Sequence, residues 1–264
     1  MKYPDSFDAA FSPVTGKTFT YAFDTMKRLT TMTEGSTNWV SGVTYNAASQ
    51  WTQMVTPAGT ETRQYNTLNQ LTRMTIPGVI DFEYTFSSTA NNGRITKAKD
   101  WISGEEVNYT YDNINRLITA TTTGPEYGLS FAYDGFGNKT TQSLTKGSAP
   151  VHSLAFDPAT NRIIGFNYDN NGNQNGGTGW TYDIQNRLQA VSTTEYYAYL
   201  GDNKRAWKRK SSGVEEIYFY DTTGQRIGTY QLQYQSSQLK PRKTTENFYF
   251  AGKLILTGDE AIAM

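Results

Sequence analysis

One short corner recurs along the whole chain and constrains the fold more than any other feature. It is an aromatic residue followed by Asp or Asn, a turn-forming residue three positions on, then Arg, Gln or Asn, and usually an apolar side chain. FDTMKRL, YDNINRL and YDIQNRL are the clearest copies, with Asp24, Asp112 and Asp183 followed four residues later by Arg28, Arg116 and Arg187 and five later by Leu29, Leu117 and Leu188. The aromatic partners of the last two are Tyr111 and Tyr182. YNAASQW and YNTLNQL keep the register with Asn46 and Asn66 for Asp. YDGFGNK, YDNNGNQ and YDTTGQR place Gly137, Gly172 and Gly224 three residues after Asp134, Asp169 and Asp221, which follow Tyr133, Tyr168 and Tyr220.

This pattern predicts a hairpin turn. A short acidic or amide side chain bonds the backbone two residues on, and Gly or Asn tolerates the left-handed conformation that closes a three- to four-residue loop. The flanking residues alternate as strands do: Leu117, Thr119 and Thr121 after one corner, Leu129, Phe131 and Tyr133 before the next, with GPEYG as a second turn between them. One unit is therefore a strand, a Gly-containing turn, a returning strand and the corner.

Phe23, Tyr45, Tyr65, Phe86, Tyr111, Tyr133 and Phe156 step along the chain at about 20 to 25 residues, a period that implies stacked units. The spacing tightens around Tyr168, Tyr182 and Tyr199, and about a dozen units fit in all. No linker or charge block interrupts them, and NNGNQNGGTG reads as a longer hairpin tip, so residues 1–264 are expected to form one all-β domain. Two units together approach the length of a propeller blade, which makes a β-propeller the rival to a continuous strip of hairpins.

The corners resemble those of the YD-repeat, or RHS-repeat, family, whose consensus is close to YDxxGRLxxxxxxxG followed by another YxYD. YTYDNINRLITATTTG and FAYDGFGN match it almost residue for residue, and the resemblance runs from about Phe19 to Leu256. It implies tandem antiparallel β-hairpins wound as a curved strip or spiral. In bacterial members this strip is a hollow shell around a toxic polypeptide, and in animal relatives it is a barrel on a cell-surface adhesion protein. The sequence ends at GDEAIAM without the family's protease-like plug or toxin tip, so the expectation is a fragment of shell wall, extracellular or at a cell surface. Its expected partners are further RHS repeats, other copies through open strand edges, an encapsulated polypeptide in the full-length protein, and carbohydrate, which the family's repeats have been associated with.

Composition narrows the other classes. Twenty-four Lys and Arg balance 24 Asp and Glu, so bulk charge gives no reason to expect a nucleic-acid partner. Absence of cysteine excludes disulfides and thiol chemistry. The start MKYPDSFDAAF has no apolar core of a signal peptide, and no stretch is long and apolar enough for a membrane-spanning helix.

Individual candidates for chemistry have structural readings that suffice. His152 is the sole histidine, and its neighbour Ser153 should point to the opposite face of a strand. The DNNGN stretch from Asp169 lacks the Gly and Glu that a calcium loop needs at its sixth and twelfth positions, where Gln174 and Trp180 stand. Aspartates repeated at one turn offset serve geometry, so no catalytic residue, metal or cofactor is expected. KRAWKRK, around Trp207, reads as a strand face paired to acidic neighbours. The tyrosines are expected to stack ring on ring as a ladder, while Trp39, Trp51, Trp101, Trp180 and Trp207 are the candidates for exposed glycan contacts.

Overall fold

The structure is a computed structural model and describes residues 1–8, 11–175, 179–235 and 237–258. The protein is all-β, with no helix among the described residues. It divides into two compact units, one comprising residues 1–42, 56–58 and 166–264, the other residues 43–55 and 59–165.

In the unit built around residues 43–165 the hairpins lie strictly in chain order. Eleven strands, from Gly42–Tyr45 at one edge to His152–Ser153 at the other, form a single sheet in which each strand is bonded to its predecessor and its successor. A propeller would break this ladder into blades of four strands, so the continuous strip is the architecture. The buried residues are few and small for the sheet's size: Met54, Ile76, Val107, Ala120 and the polar Glu61 and Thr122.

The other unit contains a three-stranded sheet (Phe19–Phe23, Leu29–Glu34, Thr37–Val40) and a ten-stranded one. The larger sheet runs in chain order from Trp180–Tyr182 to the long strand Gln238–Phe250, whose C-terminal half also pairs with Lys253–Thr257. Its far side is completed by the start of the chain, where Ser6–Phe7 lies parallel to the long strand with Phe7 opposite Arg242, and Pro13–Val14 pairs with Ser6–Phe7. The core gathers here. Tyr3, Phe19 and Phe248 form a three-ring cluster with centroid separations of 5.6, 4.6 and 4.8 Å, and Met32, Val40, Tyr230, Phe250 and Leu256 are buried in the same unit. Each such side chain contributes about 1.5 to 3 kcal/mol through burial.

Corner hairpins repeat one irregularity, recorded at Phe23, Tyr65, Phe86, Tyr111, Tyr133, Tyr182, Tyr199 and Tyr220. Thr110 faces Thr119 but Tyr111 faces Leu117, so Ile118 is an extra residue on the returning strand. Thr140 and Ile227 are the extra residues after the Tyr133 and Tyr220 corners. Such bulges follow from a left-handed residue at the end of the loop. That residue is Lys27, Ser49, Asn69, Asn115, Asn186 or Asn203 in some corners, with φ between 60 and 76°, and Gly137, Gly172 or Gly224 in others. The tip NNGNQNGGTG is described only in part, since residues 176–178 lie outside the described residues. The Asp169–Asn173 portion is an ordinary corner.

Candidate functional site

The repeated corner is the one constellation that recurs throughout the molecule. At Asp112 the backbone N–H donates to the Arg116 carbonyl at 2.9 Å, and Asn115 N–H donates to the Asp112 carbonyl at 3.0 Å. The carboxylate then takes up the amides inside the loop: Oδ1 accepts from Ile114 N–H at 3.0 Å and Arg116 N–H at 2.8 Å, and Oδ2 accepts from Arg116 Nε at 2.6 Å. Asp24 and Asp183 repeat this arrangement with Arg28 and Arg187. Where Asn follows, as at Asp134 and Asp169, the amide of Asn138 or Asn173 replaces the guanidinium. Asn46 and Asn66 accept the same two amides through Oδ1, so a charge is not required for the geometry.

Partial burial alone would raise the Asp112 and Asp183 carboxyls, but the hydrogen bonds from the following arginine and the loop amides outweigh it and hold both below the usual carboxylate range. At Asp134 and Asp169 the Asn side-chain amide is the leading cause of the same lowering. These are ionised, fully engaged groups. A general acid or base needs the reverse, a carboxyl poised near neutrality with an oxygen free to exchange a proton.

Corners are linked to one another by three further contacts. First, the residue four after the Asp reaches the next corner: Gln50 Nε2 donates to Asn69 O at 2.8 Å, Asn138 Nδ2 to Asn161 Oδ1 at 2.5 Å, Asn173 Nδ2 to Asn186 Oδ1 at 2.9 Å, and Arg187 Nη1 to Leu200 O at 2.9 Å. Second, its cation lies over the next aromatic ring, with Arg116 4.6 Å from the Tyr133 centroid, Arg187 4.9 Å from Tyr199 and Lys204 5.7 Å from Tyr220. Third, the tyrosine hydroxyl bonds back to the carbonyl five residues after the previous Asp position. Tyr65 donates to Trp51 at 3.1 Å, Tyr133 to Leu117 at 2.8 Å, Tyr199 to Leu188 at 2.7 Å and Tyr220 to Arg205 at 2.8 Å, and Tyr182 does the same to Gln174.

The tyrosine stripe is therefore not the ring-on-ring ladder that the sequence suggested. Where the fourth residue is Arg or Lys, its cation lies between corners over the next ring, at Tyr133, Tyr199 and Tyr220. Sequence reasoning missed the hydroxyl's role altogether. A usable signal was present, since Tyr outnumbers Phe at the corner position although either ring would serve a purely apolar contact.

The remaining candidates are accounted for by local partners. His152 is half-buried on the edge strand, opposite Gln142, and Ser153 is exposed. In KRAWKRK, Lys204 meets Asp202 at 2.6 Å, Lys208 meets Glu195 at 2.6 Å, Arg209 lies 3.9 Å from Glu215 and Lys210 3.7 Å from Glu216. Of the five tryptophans only Trp101 is exposed, at 48%. Trp39, Trp51, Trp180 and Trp207 are half-buried. Arg63 stacks over Trp51 at 3.6 Å, and the indole N–H groups of Trp39 and Trp207 donate to Glu34 and Glu215.

No family model matches the chain, and no curated protein matches it in sequence. Solved structures do match. The crystal structure of TcdB2-TccC3-Cdc42 superposes with a TM-score of 0.67 at 17% identity, covering 94% of this chain and 15% of that one. TcdB2-TccC3-TEV gives 0.62 at 16% identity over 93% of this chain and 18% of that one. The Photorhabdus luminescens Tc holotoxin pore, with the TccC3 D651A mutation, gives 0.62 at 16% over 96% and 18%. The chain thus spans less than a fifth of the length of these toxin structures. The corner motif and its links recur in successive hairpins, and the chain shares the fold of the matched region of these toxin structures.

Proposed function

We propose that this protein is a non-catalytic wall module of a larger RHS-type shell, secreted or displayed at a surface, whose hairpins act together as one continuous structural element. The observation that carries the reading is the use of one polar constellation for one purpose. Corner carboxylates, amides and guanidinium groups are consumed in holding each loop and in tying it to the next. Encapsulation of a polypeptide by the complete shell is part of the same proposal; the matched region is a small part of a longer chain in the toxin structures.

Further repeats are the natural partner. Lys253–Thr257 pairs with Gln238–Phe250 on one side, and no other strand borders it among the described residues. An apolar edge of this kind recruits another strand. Sedimentation velocity should show concentration-dependent association, which Ile255→Lys, a charge on the edge, should suppress. A strictly monomeric wild-type protein at high concentration would sink the open-edge version of the proposal.

A glycan-binding or adhesion role is the second reading, favoured by the exposed Trp101. Its face is already shared with Lys99, whose Nζ lies 3.8 Å from the ring centroid. A glycan array that gave signals lost in Trp101→Ala would support it, and an array without signals would remove it.

A further inference from the structure

Two arginines break the repeat pattern together. The position five residues after the corner Asp is Leu in the best copies, Leu29, Leu71, Leu117 and Leu188, and Trp51 in another. In the corners that begin at Tyr199 and Tyr220 it is Arg205 and Arg226. Their strands, Arg205–Lys210 and Arg226–Gln235, flank Glu215–Tyr220 on either side. Both side chains border one open groove of about 310 Å³, with Tyr199, Asn203, Tyr218 and Tyr220 completing it.

The two guanidinium groups differ from their cationic neighbours. Lys204, Lys208, Arg209 and Lys210 each have a carboxylate within 4.0 Å, whereas neither Arg205 nor Arg226 has one among the described residues, and both are exposed. Arg205 lies over Tyr197, 4.4 Å from its centroid, and Arg226 over Tyr218 at 5.7 Å. Glu216, on the strand between them, has its carboxylate accepting the Tyr218 hydroxyl at 2.8 Å and lying 3.7 Å from Lys210, while Arg205 hydrogen-bonds the same Tyr218 hydroxyl.

Their backbones are fixed from behind. The Arg205 carbonyl accepts the Tyr220 hydroxyl at 2.8 Å, and the Arg226 carbonyl accepts Asn247 Nδ2 at 2.9 Å and the Tyr249 hydroxyl at 3.3 Å. Two guanidinium forks on one sheet, neither with a carboxylate partner among the described residues, suit the oxygens of a carboxylate or sulfate, which they bind by charge-assisted hydrogen bonds. Phenol rings beside them offer flat apolar surface to the body of the ligand, and a groove of this size lies within the range of small-molecule sites.

We propose that this groove binds a ring-sized ligand bearing one oxyanion, a carboxylate or sulfate, gripped between Arg205 and Arg226. The site stands apart from the wall reading, and either can fail without the other. The test uses the full chain with glucuronate, glucose and inorganic sulfate as probes, followed by calorimetry and by tyrosine-ring chemical shifts. Arg205→Leu/Arg226→Leu installs the residue that other repeats carry, so the fold is retained, which circular dichroism checks. Lys139→Leu, at the same repeat position in another corner, is the control.

Saturable glucuronate binding, at least tenfold weaker in the double variant and unchanged in the control, supports the site. Sulfate competing with glucuronate supports the oxyanion as the shared determinant. Glucose binding as tightly as glucuronate, equal affinity in the double variant, or no saturable binding of glucuronate or sulfate would each overturn the proposal.

Discussion

Ser49 occupies the left-handed position of its corner with φ of 60°, where other corners use Asn or Gly. A side chain with a Cβ pays about 1 to 2 kcal/mol for that conformation, partly offset in glycine by the entropy it loses on folding. Ser49→Gly should therefore stabilise the protein by roughly 0.5 to 1 kcal/mol, read as a higher urea midpoint. Removal of one phenolic hydroxyl tests the link between corners. Tyr133→Phe keeps the ring under Arg116 but leaves the Leu117 carbonyl without its donor, and should cost about 1 kcal/mol in the same measurement. No loss at all would mean that water replaces the hydroxyl freely. The left-handed glycines and asparagines were legible in the sequence because a single residue's conformational limits decide them. The hydroxyl bond was not, since its acceptor is a backbone carbonyl of the preceding hairpin, which carries no side-chain signature.

Many of the hairpins are closed by a corner carboxylate, and this makes the array sensitive to acid. The Asp24, Asp112, Asp134, Asp169, Asp183 and Asp221 carboxyls are all lowered from 3.8. A group whose folded value lies below its unfolded one contributes stability that is complete above the unfolded value and is lost as pH falls toward the folded value. Thermal stability should be level from neutrality down to about pH 4 and decline steadily below it. Asp112→Asn, which retains the Oδ1 acceptor as Asn46 and Asn66 do, should shrink the decline; an unchanged acid limb would show that the corners are not its source. The strands themselves were readable from alternation and turn spacing. The link between Arg116 and the ring of Tyr133 was not, because both residues have sufficient reasons for their positions within their own corners.

At the scale of the whole molecule the strip of hairpins was foreseeable and its fastening was not. Local pairing follows from the repeat, whereas the parallel contact of Phe7 with Arg242 joins segments that share no pattern, and the first eighteen residues lie outside the recognisable repeats. The ring cluster there should be the most costly point to weaken. Phe248→Ala removes a fully buried ring from between Tyr3 and Phe19 and should cost about 3 to 5 kcal/mol, detectable by chemical denaturation. A loss below about 1 kcal/mol would show that the opening segment contributes little to the fold.

The Tyr3 hydroxyl donates to the Asn247 carbonyl across 244 positions of sequence. During synthesis the hairpins of residues 43–165 can zip as soon as each leaves the ribosome, because every partner is the next segment to emerge. Tyr3 and Phe19 can meet each other early, and Phe19 can pair with Glu34, but both rings lack the cover of Phe248 until the chain has been made that far. The packing around Tyr3 is consequently completed late, and the interval before Phe248 arrives is when this segment is most open to aggregation or to a chaperone.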